Sequence, residues 1–318
     1  MRLPDVVLQI LQVVTVLLGS PLITGVIKRL EEMVESKRGP SILQPYYDLH
    51  KLFRKAWILP PTASSIFLFA PFVAFTAMIT ITLLIPVLTD FPLPLGFMGD
   101  MLGGAFLFAL ASFMVSLAGM DTGSPYGGLG SSRSTFVAIL AEPTLILVLI
   151  GVALIAQSML PYVVNHTLRD SLQAYFSPAH LLILAAFFLL FLADTDRLPL
   201  HSDTHVEISM IEEARVLEYS GWGLALLKWA SHMKQFLLLV IFCNVLLFPW
   251  GLSRDGSAFS VLWALVTLLF KMGVIVVVVV VVQTSIARLR YFRYQEYLGS
   301  SFILALLAII AHQLEGGP

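Results

Sequence analysis

The sequence predicts an all-α integral membrane protein: a bundle of about eight transmembrane helices, with amphipathic helices in its polar loops. Hydrophobic residues make up 58% of the 318-residue chain and charged residues only 12%, against about 25% charged in soluble domains. The mean hydropathy is +0.88. Eight stretches reach or approach the roughly 20 apolar residues that a spanning helix needs.

In chain order, the first span is expected at 5–27. It is too long for a signal peptide, lacks a small-residue cleavage site and ends in Lys28-Arg29. Full-length apolar runs follow at 66–89, 100–120 and 135–157. The fifth, 179–194, is short and closes on Asp194; the sixth and seventh, 224–250 and 256–282, carry Lys228, Lys234 and Lys271; the eighth, 299–313, is again short. No repeat, soluble domain or low-complexity linker interrupts 1–318, so it reads as one polytopic domain.

Orientation follows from Lys and Arg. The loops after spans 1, 3, 5 and 7 hold thirteen of them, whereas the opposite side holds only Arg2, Arg169 and Arg254. The positive-inside rule makes the former cytoplasmic and puts both termini outside, in a cell inner membrane. The cytoplasmic loops are the long polar ones, near 29–64, 121–134, 195–223 and 283–298; the outer loops are expected to carry little chemistry. Net charge of −1 leaves no basic field for nucleic acid. The single cysteine, Cys243, sits in an apolar run, so the chain can form no internal disulfide and cannot ligate a four-thiolate cluster. It reads as a buried structural thiol.

An ionisable side chain inside a span costs about 2.5–3.5 kcal/mol on insertion scales, so it needs a partner or water. Glu142, Asp194, Lys228, Lys234 and Lys271 are such residues. Lys228 and Lys234 lie in the first turns of span 6, where they can snorkel to the cytoplasmic interface. Lys271 lies fifteen residues into span 7, near mid-membrane, and is a proton-relay candidate. In the loop 195–223, a helix is expected from Asp203, an N-cap type, to a terminating Gly221. It places Glu207, Ile211, Ala214 and Glu218 on one stripe. Burial of this helix against the bundle would raise the carboxylate pKa values. His201, His205 and Glu207 are metal-ligand types, but their spacing matches no zinc motif, and no metal is assigned.

These stretches carry a family likeness. The run Lys37-Arg38-Gly39-Pro40 leading to Gln44-Pro45 and Asp48-x-x-Lys51, the Arg133 and Glu142-Pro143 pair, Asp194-x-x-Arg197-x-Pro199, Glu218-Tyr219-Ser220-Gly221, and Thr284-x-x-Ala287-Arg288-x-Arg290-x-Phe292-Arg293 resemble, in order, the motifs of the complex I membrane subunit 1 family. Asp121-Thr-Gly-Ser-Pro125, Thr204–Ala214 and Leu224–Ala230 are most similar to the branch found in group 4 [NiFe] hydrogenases and formate hydrogenlyases.

The resemblance implies a docking and ion-coupling subunit of an oxidoreductase. Its cytoplasmic loops would hold an iron–sulfur small subunit and a large catalytic subunit, and antiporter-like subunits would lie beside it in the bilayer. It implies a proton or sodium relay through Glu142, Asp194, Glu207, Glu213, Glu218 and Lys271. Arg133 and Arg197 would be counter-charges, with Arg38, Asp48, Lys51, Arg288, Arg290 and Arg293 in the docking loops. No cofactor is expected in the chain itself; iron–sulfur clusters and nickel–iron belong to partners, and a quinone belongs to the alternative in which it serves a NADH-type dehydrogenase. His201 replaces a family aspartate and Gln283 a family glutamate, which weakens the case for a complete relay. A stand-alone transporter would show inverted repeats, and none is visible.

Overall fold

The computed structural model describes residues 3–96, 99–195, 197, 212–285 and 294–314. Among them the regular structure is helical apart from one isolated bridge between Thr89 and Ser253. The helices are α1 Asp5–Val34, α2 Gln44–Phe53, α3 Ser65–Leu84, α4 Met101–Asp121, α5 Pro125–Ala156, α6 Pro161–Asp170, α7 Leu172–Tyr175, α8 Pro178–Asp194, α9 Glu212–Arg215, α10 Gly221–Val240, α11 Ala258–Ser285 and α12 Tyr294–Leu314. α10 continues as a π-helix over Ile241–Leu247.

Among the described residues, seven helices have the length and apolarity to cross a membrane: α1, α3, α4, α5, α10 with its extension, α11 and α12. The eighth apolar helix, α8, has 17 residues. In the most apolar stretch of α10, 78% of residues are buried, against 22–44% in the other six. α10 is thus the most enclosed span, packed on α1, α2 and α3, and the others keep one face outward. α8 packs on α5 and α12. Tyr294 Oη donates to Ala193 O and Ser301 Oγ to Ala186 O, both at 2.7 Å, so α12 runs antiparallel beside α8. The bundle has an α2 end and a terminal end, where Leu3 N donates to Gly256 O.

Local chemistry sets the starts. Ser64, Asp100 and Ser177 accept from Ile66 N, Gly103 N and His180 N as N-caps of α3, α4 and α8, and Pro125 and Pro178 stand in first turns. The boundaries depart from the hydropathy reading where packing intervenes. α5 begins ten residues before the expected 135. A Cβ at Gly119 would lie 2.3 Å from Ser131 Oγ, and one at Gly127 2.5 Å from Gly119 O. This close α4–α5 crossing makes a helix of a glycine- and serine-rich stretch that hydropathy assigns to a loop. α3 ends five residues before the expected 89, because Pro86 forces Ile85 into extended backbone (φ −96°, ψ 147°). The extended apolar segment stays buried, with its carbonyls satisfied by Gln12 Nε2 to Ile85 O (3.0 Å) and Asn244 Nδ2 to Pro86 O (3.1 Å) and Val87 O (3.0 Å). α12 starts five residues before 299, since Tyr294 packs inward on α8.

The helix expected to reach Gly221 stops at Arg215. The chain turns, and Tyr219 stacks on Phe67 (3.8 Å between centroids) and donates from Oη to Phe67 O at 2.8 Å. Burial pushes the Tyr219 hydroxyl pKa up. Gly221 opens α10 instead of ending a helix. Its φ of +53° and the Ala56 carbonyl oxygen, 2.6 Å from where a Cβ would sit, both demand glycine.

Candidate functional site

The end of α8 brings charge to α10. Thr195 N donates to Phe191 O at 3.1 Å and Arg197 N to Leu192 O at 2.9 Å, so the chain curls tightly after Asp194. Asp194 and Arg197 straddle α10. Asp194 Oδ1 accepts from Lys234 Nζ at 2.7 Å. Arg197, 9% exposed, donates from Nη1 to Glu31 Oε1 at 2.5 Å. The neighbour of Lys234, Gln235, completes the second group: with its amide oxygen toward Arg197 Nε (3.0 Å), its nitrogen donates to Thr24 Oγ1 at 3.1 Å. The positions 234 and 235 thus connect two polar groups, one toward α4 and α5, the other toward α1.

Glu142 joins the first group. Asp194, Lys234 and Glu142 line a cavity of about 20 Å³ with Ser112, Phe108 and Ala138. A water molecule needs roughly 10–15 Å³ and two or more polar partners, and three charged side chains supply them. Among the described residues, Glu142 has no cation within 4.0 Å. With all three ionised, the cavity holds two carboxylates and one ammonium, a net charge of −1. Uptake of one proton leaves it neutral. The arrangement can therefore hold and release one proton.

The other expected site residues fall in several places. Lys234, for which snorkelling was a reading, is instead paired inside the bundle, whereas Lys228 is exposed. Arg197 is a counter-charge, but to Glu31 rather than to the expected acids. Sequence reading left Glu31 in the polar loop; its signal is its place one turn beyond Ile27 on the face of the buried Thr24. Arg133 sits within α5, not in a loop, nine residues and roughly 13 Å of helix rise from Glu142. Glu213 and Glu218, expected to be buried, are exposed, because α9 ends early and presents Ala214 and Tyr219 inward. Arg38, Asp48 and Lys51 are exposed around α2, which Gln44 Nε2 steadies by donating to Asp48 Oδ1 at 3.0 Å. Glu207, Arg288, Arg290, Arg293, His201 and His205 lie outside the described residues.

Lys271 stands apart. Its ammonium donates to Asn244 Oδ1 at 3.1 Å, to Phe248 O at 2.7 Å and to Trp250 O. Asn244 is ten residues past Lys234 on α10, about 15 Å of rise.

The terminal end holds a buried charge cluster, contrary to the expectation of chemically sparse outer loops. Asp90, 5% exposed, accepts from Arg169 Nη1; His166 Nε2 lies 3.2 Å from its Oδ1, and Arg254 Nε 3.9 Å from its Oδ2. Arg169 Nη2 reaches His166 Nδ1 at 2.6 Å, and its Nε donates to Asp170 Oδ1 at 2.9 Å, which holds that carboxyl below its usual pKa. Backbone bonds from Asp90 N to Ser253 O and Ser253 N to Leu88 O, both 2.9 Å, close the group. Asp90 lies 76 to 164 positions from His166, Arg169 and Arg254, beyond any local sequence signal.

Residues 7–313 match the NADH dehydrogenase family. Hydrogenase-4 component C of Escherichia coli K12 is 33% identical over 304 residues, covering 95% of this chain and 94% of that protein. Formate hydrogenlyase subunit 4 of the same organism is 31% identical, covering 96% and 98%. NADH-ubiquinone oxidoreductase chain 1 of Struthio camelus is 27% identical, covering 93% and 90%. Among solved structures, a chain of the membrane-bound sulfane sulfur reductase, an archaeal respiratory membrane complex, superposes with a TM-score of 0.80 at 20% identity, over 96% of this chain and 98% of that one.

Proposed function

This chain belongs to the NADH dehydrogenase family, and on that premise we propose that it is the membrane-embedded docking and ion-coupling subunit of a complex I-like oxidoreductase of the hydrogenase or formate hydrogenlyase type. Relatives from hydrogenase-4 and formate hydrogenlyase, at 33% and 31% identity over nearly the whole chain, support the branch. The observation that carries the coupling role is the Asp194–Lys234 pair beside Glu142 and its water-sized cavity.

The exposed basic surface around α2, with Arg38 and Lys51, faces a soluble arm made of an iron–sulfur small subunit and a large catalytic subunit, whose clusters and nickel–iron carry the electrons. Antiporter-like subunits flank the bundle in the bilayer. Electron transfer in the arm shifts the field at the α2 end. The Glu31–Arg197–Gln235 group senses that shift and passes it along α10 to Lys234. When the ammonium leans from Asp194 toward Glu142, Asp194 loses its counter-charge and takes up a proton delivered from the solvent through the cavity water, which gives up one proton as it receives another; the return movement releases it. The α2 end is cytoplasmic and the terminal end lies outside an inner membrane, as the thirteen-to-three split of basic residues supports.

Glu142→Gln and Asp194→Asn test the coupling, with assembly, electron-transfer rate and proton translocation measured separately in the intact complex. Normal assembly with lost translocation supports the relay; normal translocation in both variants removes it. Cysteine labelling at Ser41 and Asp255, both exposed, tests the sidedness: reagent confined to the cytoplasm should reach only Ser41→Cys. Mass spectrometry of the purified complex identifies the arm, and a NADH-binding arm in place of a nickel–iron subunit would select the quinone-reducing alternative.

A further inference from the structure

The end of α10 leaves its last carbonyls without helical partners. Over Ile241–Leu247 the turn widens to a π-helix, Phe248 N reaches back to Cys243 O at 2.9 Å, and the chain then leaves the helix to run beside α11, where Thr267 Oγ1 donates to Gly251 O at 2.9 Å. Neutral side chains cap part of this end: Asn165 Nδ2 donates to Asn244 O (2.5 Å) and Pro249 O (3.2 Å), and Tyr175 Oη to Leu247 O (2.7 Å). Two further carbonyls, Phe248 O and Trp250 O, converge with Asn244 Oδ1 on the Lys271 ammonium.

We propose that these three oxygens form a monovalent-cation site, which this chain fills with its own tethered ammonium. All three ligands are uncharged, and no carboxylate lies within 4.0 Å of Lys271 among the described residues. The ammonium is held by dipoles, as a filter of backbone carbonyls holds a dehydrated ion, with the negative end of the α10 dipole adding to the field. The cage does not depend on the lysine for its shape. Asn244 is anchored through Nδ2 to Pro86 O and Val87 O, which leaves Oδ1 aimed at the cation, and Asn165 and Tyr175 hold the backbone on either side. With the lysine side chain removed, the same oxygens face the place its ammonium held. The class of ligand is therefore potassium, ammonium or methylammonium; choline has no N–H to donate and is too large.

The test uses the full chain in detergent and does not involve Glu142 or the relay, so its outcome is separate from that of the coupling proposal. Unfolding midpoints of the wild type and Lys271→Ala are compared in choline, potassium and methylammonium chloride at equal ionic strength. The wild-type midpoint should be the same in all three. The variant should unfold earlier in choline and recover, saturably, in potassium or methylammonium. A variant as stable as wild type in choline overturns the proposal, as does one destabilised equally in all three salts. If Lys271→Ala does not accumulate, Lys271→Ser takes its place in the same three salts, and absence of any salt dependence there overturns the proposal equally.

Discussion

At the terminal end, one buried carboxylate, Asp90, meets Arg169, His166 and Arg254, and two backbone bonds to Ser253 close the group. At the α2 end, two carboxylates, Asp194 and Glu142, and one ammonium, Lys234, paired with Asp194, line a cavity with room for water. The first cluster is closed by direct bonds; the second has an excess negative charge and a gap. Burying charge costs several kcal/mol per ion unless pairing repays it, so both clusters need a reason to exist. A closed cluster of direct bonds ties α6 to two distant loops. An open cluster with a surplus carboxylate can change protonation without breaking the fold.

The largest expected effect tests the closed cluster. Arg169→Ala leaves Asp90 buried without its principal partner and should cost about 3–5 kcal/mol, read as a lower unfolding midpoint or loss from the membrane fraction. A cost below about 1 kcal/mol would show that the loops hold without it. At the open cluster, Glu142→Gln should change stability by no more than about 1 kcal/mol while proton translocation falls by tenfold or more; the two ends would then respond in opposite assays.

Tyr219→Phe sharpens the contrast within the α2 end itself. It removes the hydroxyl donated to Phe67 O and should cost about 1 kcal/mol in thermal unfolding, with translocation unchanged once the complex is assembled. The smallest effect is expected for Glu218→Gln. This exposed side chain should alter the isolated chain's stability by less than about 0.5 kcal/mol, so any loss of activity would have to be read as weakened binding of the soluble arm in a pull-down.

Parts of the site were legible in the sequence because charge inside an apolar run is anomalous on its face. Glu142, Asp194 and Lys271 were singled out that way, and Lys234 was seen but without its partner. Glu31 was missed because it lies beyond the apolar run, although it continues the same helix. Asp90 and Arg169 were missed because each looks like an ordinary loop residue, and only their meeting makes them a buried pair. Glu218 was assigned to a buried stripe, and Glu213 to the same buried relay, on the assumption of an unbroken helix packed on the bundle; the helix stops at Arg215 and both are exposed.

The sequence by itself determined the helical membrane class, the order and approximate places of the spans, the one-sided distribution of Lys and Arg and the family motifs, since each is a sum or pattern over neighbouring residues. The tertiary structure alone decided that Lys234 serves Asp194, that Arg197 serves Glu31, that glycines at the α4–α5 crossing extend a helix, and that Asn244 in the π-turn ending α10 and the carbonyls just beyond it hold Lys271. Hydropathy is a property of each segment taken alone. Ion pairs, cavities and carbonyl cages depend on the rotation and depth of one helix against another, and those are set only when all the faces are packed together.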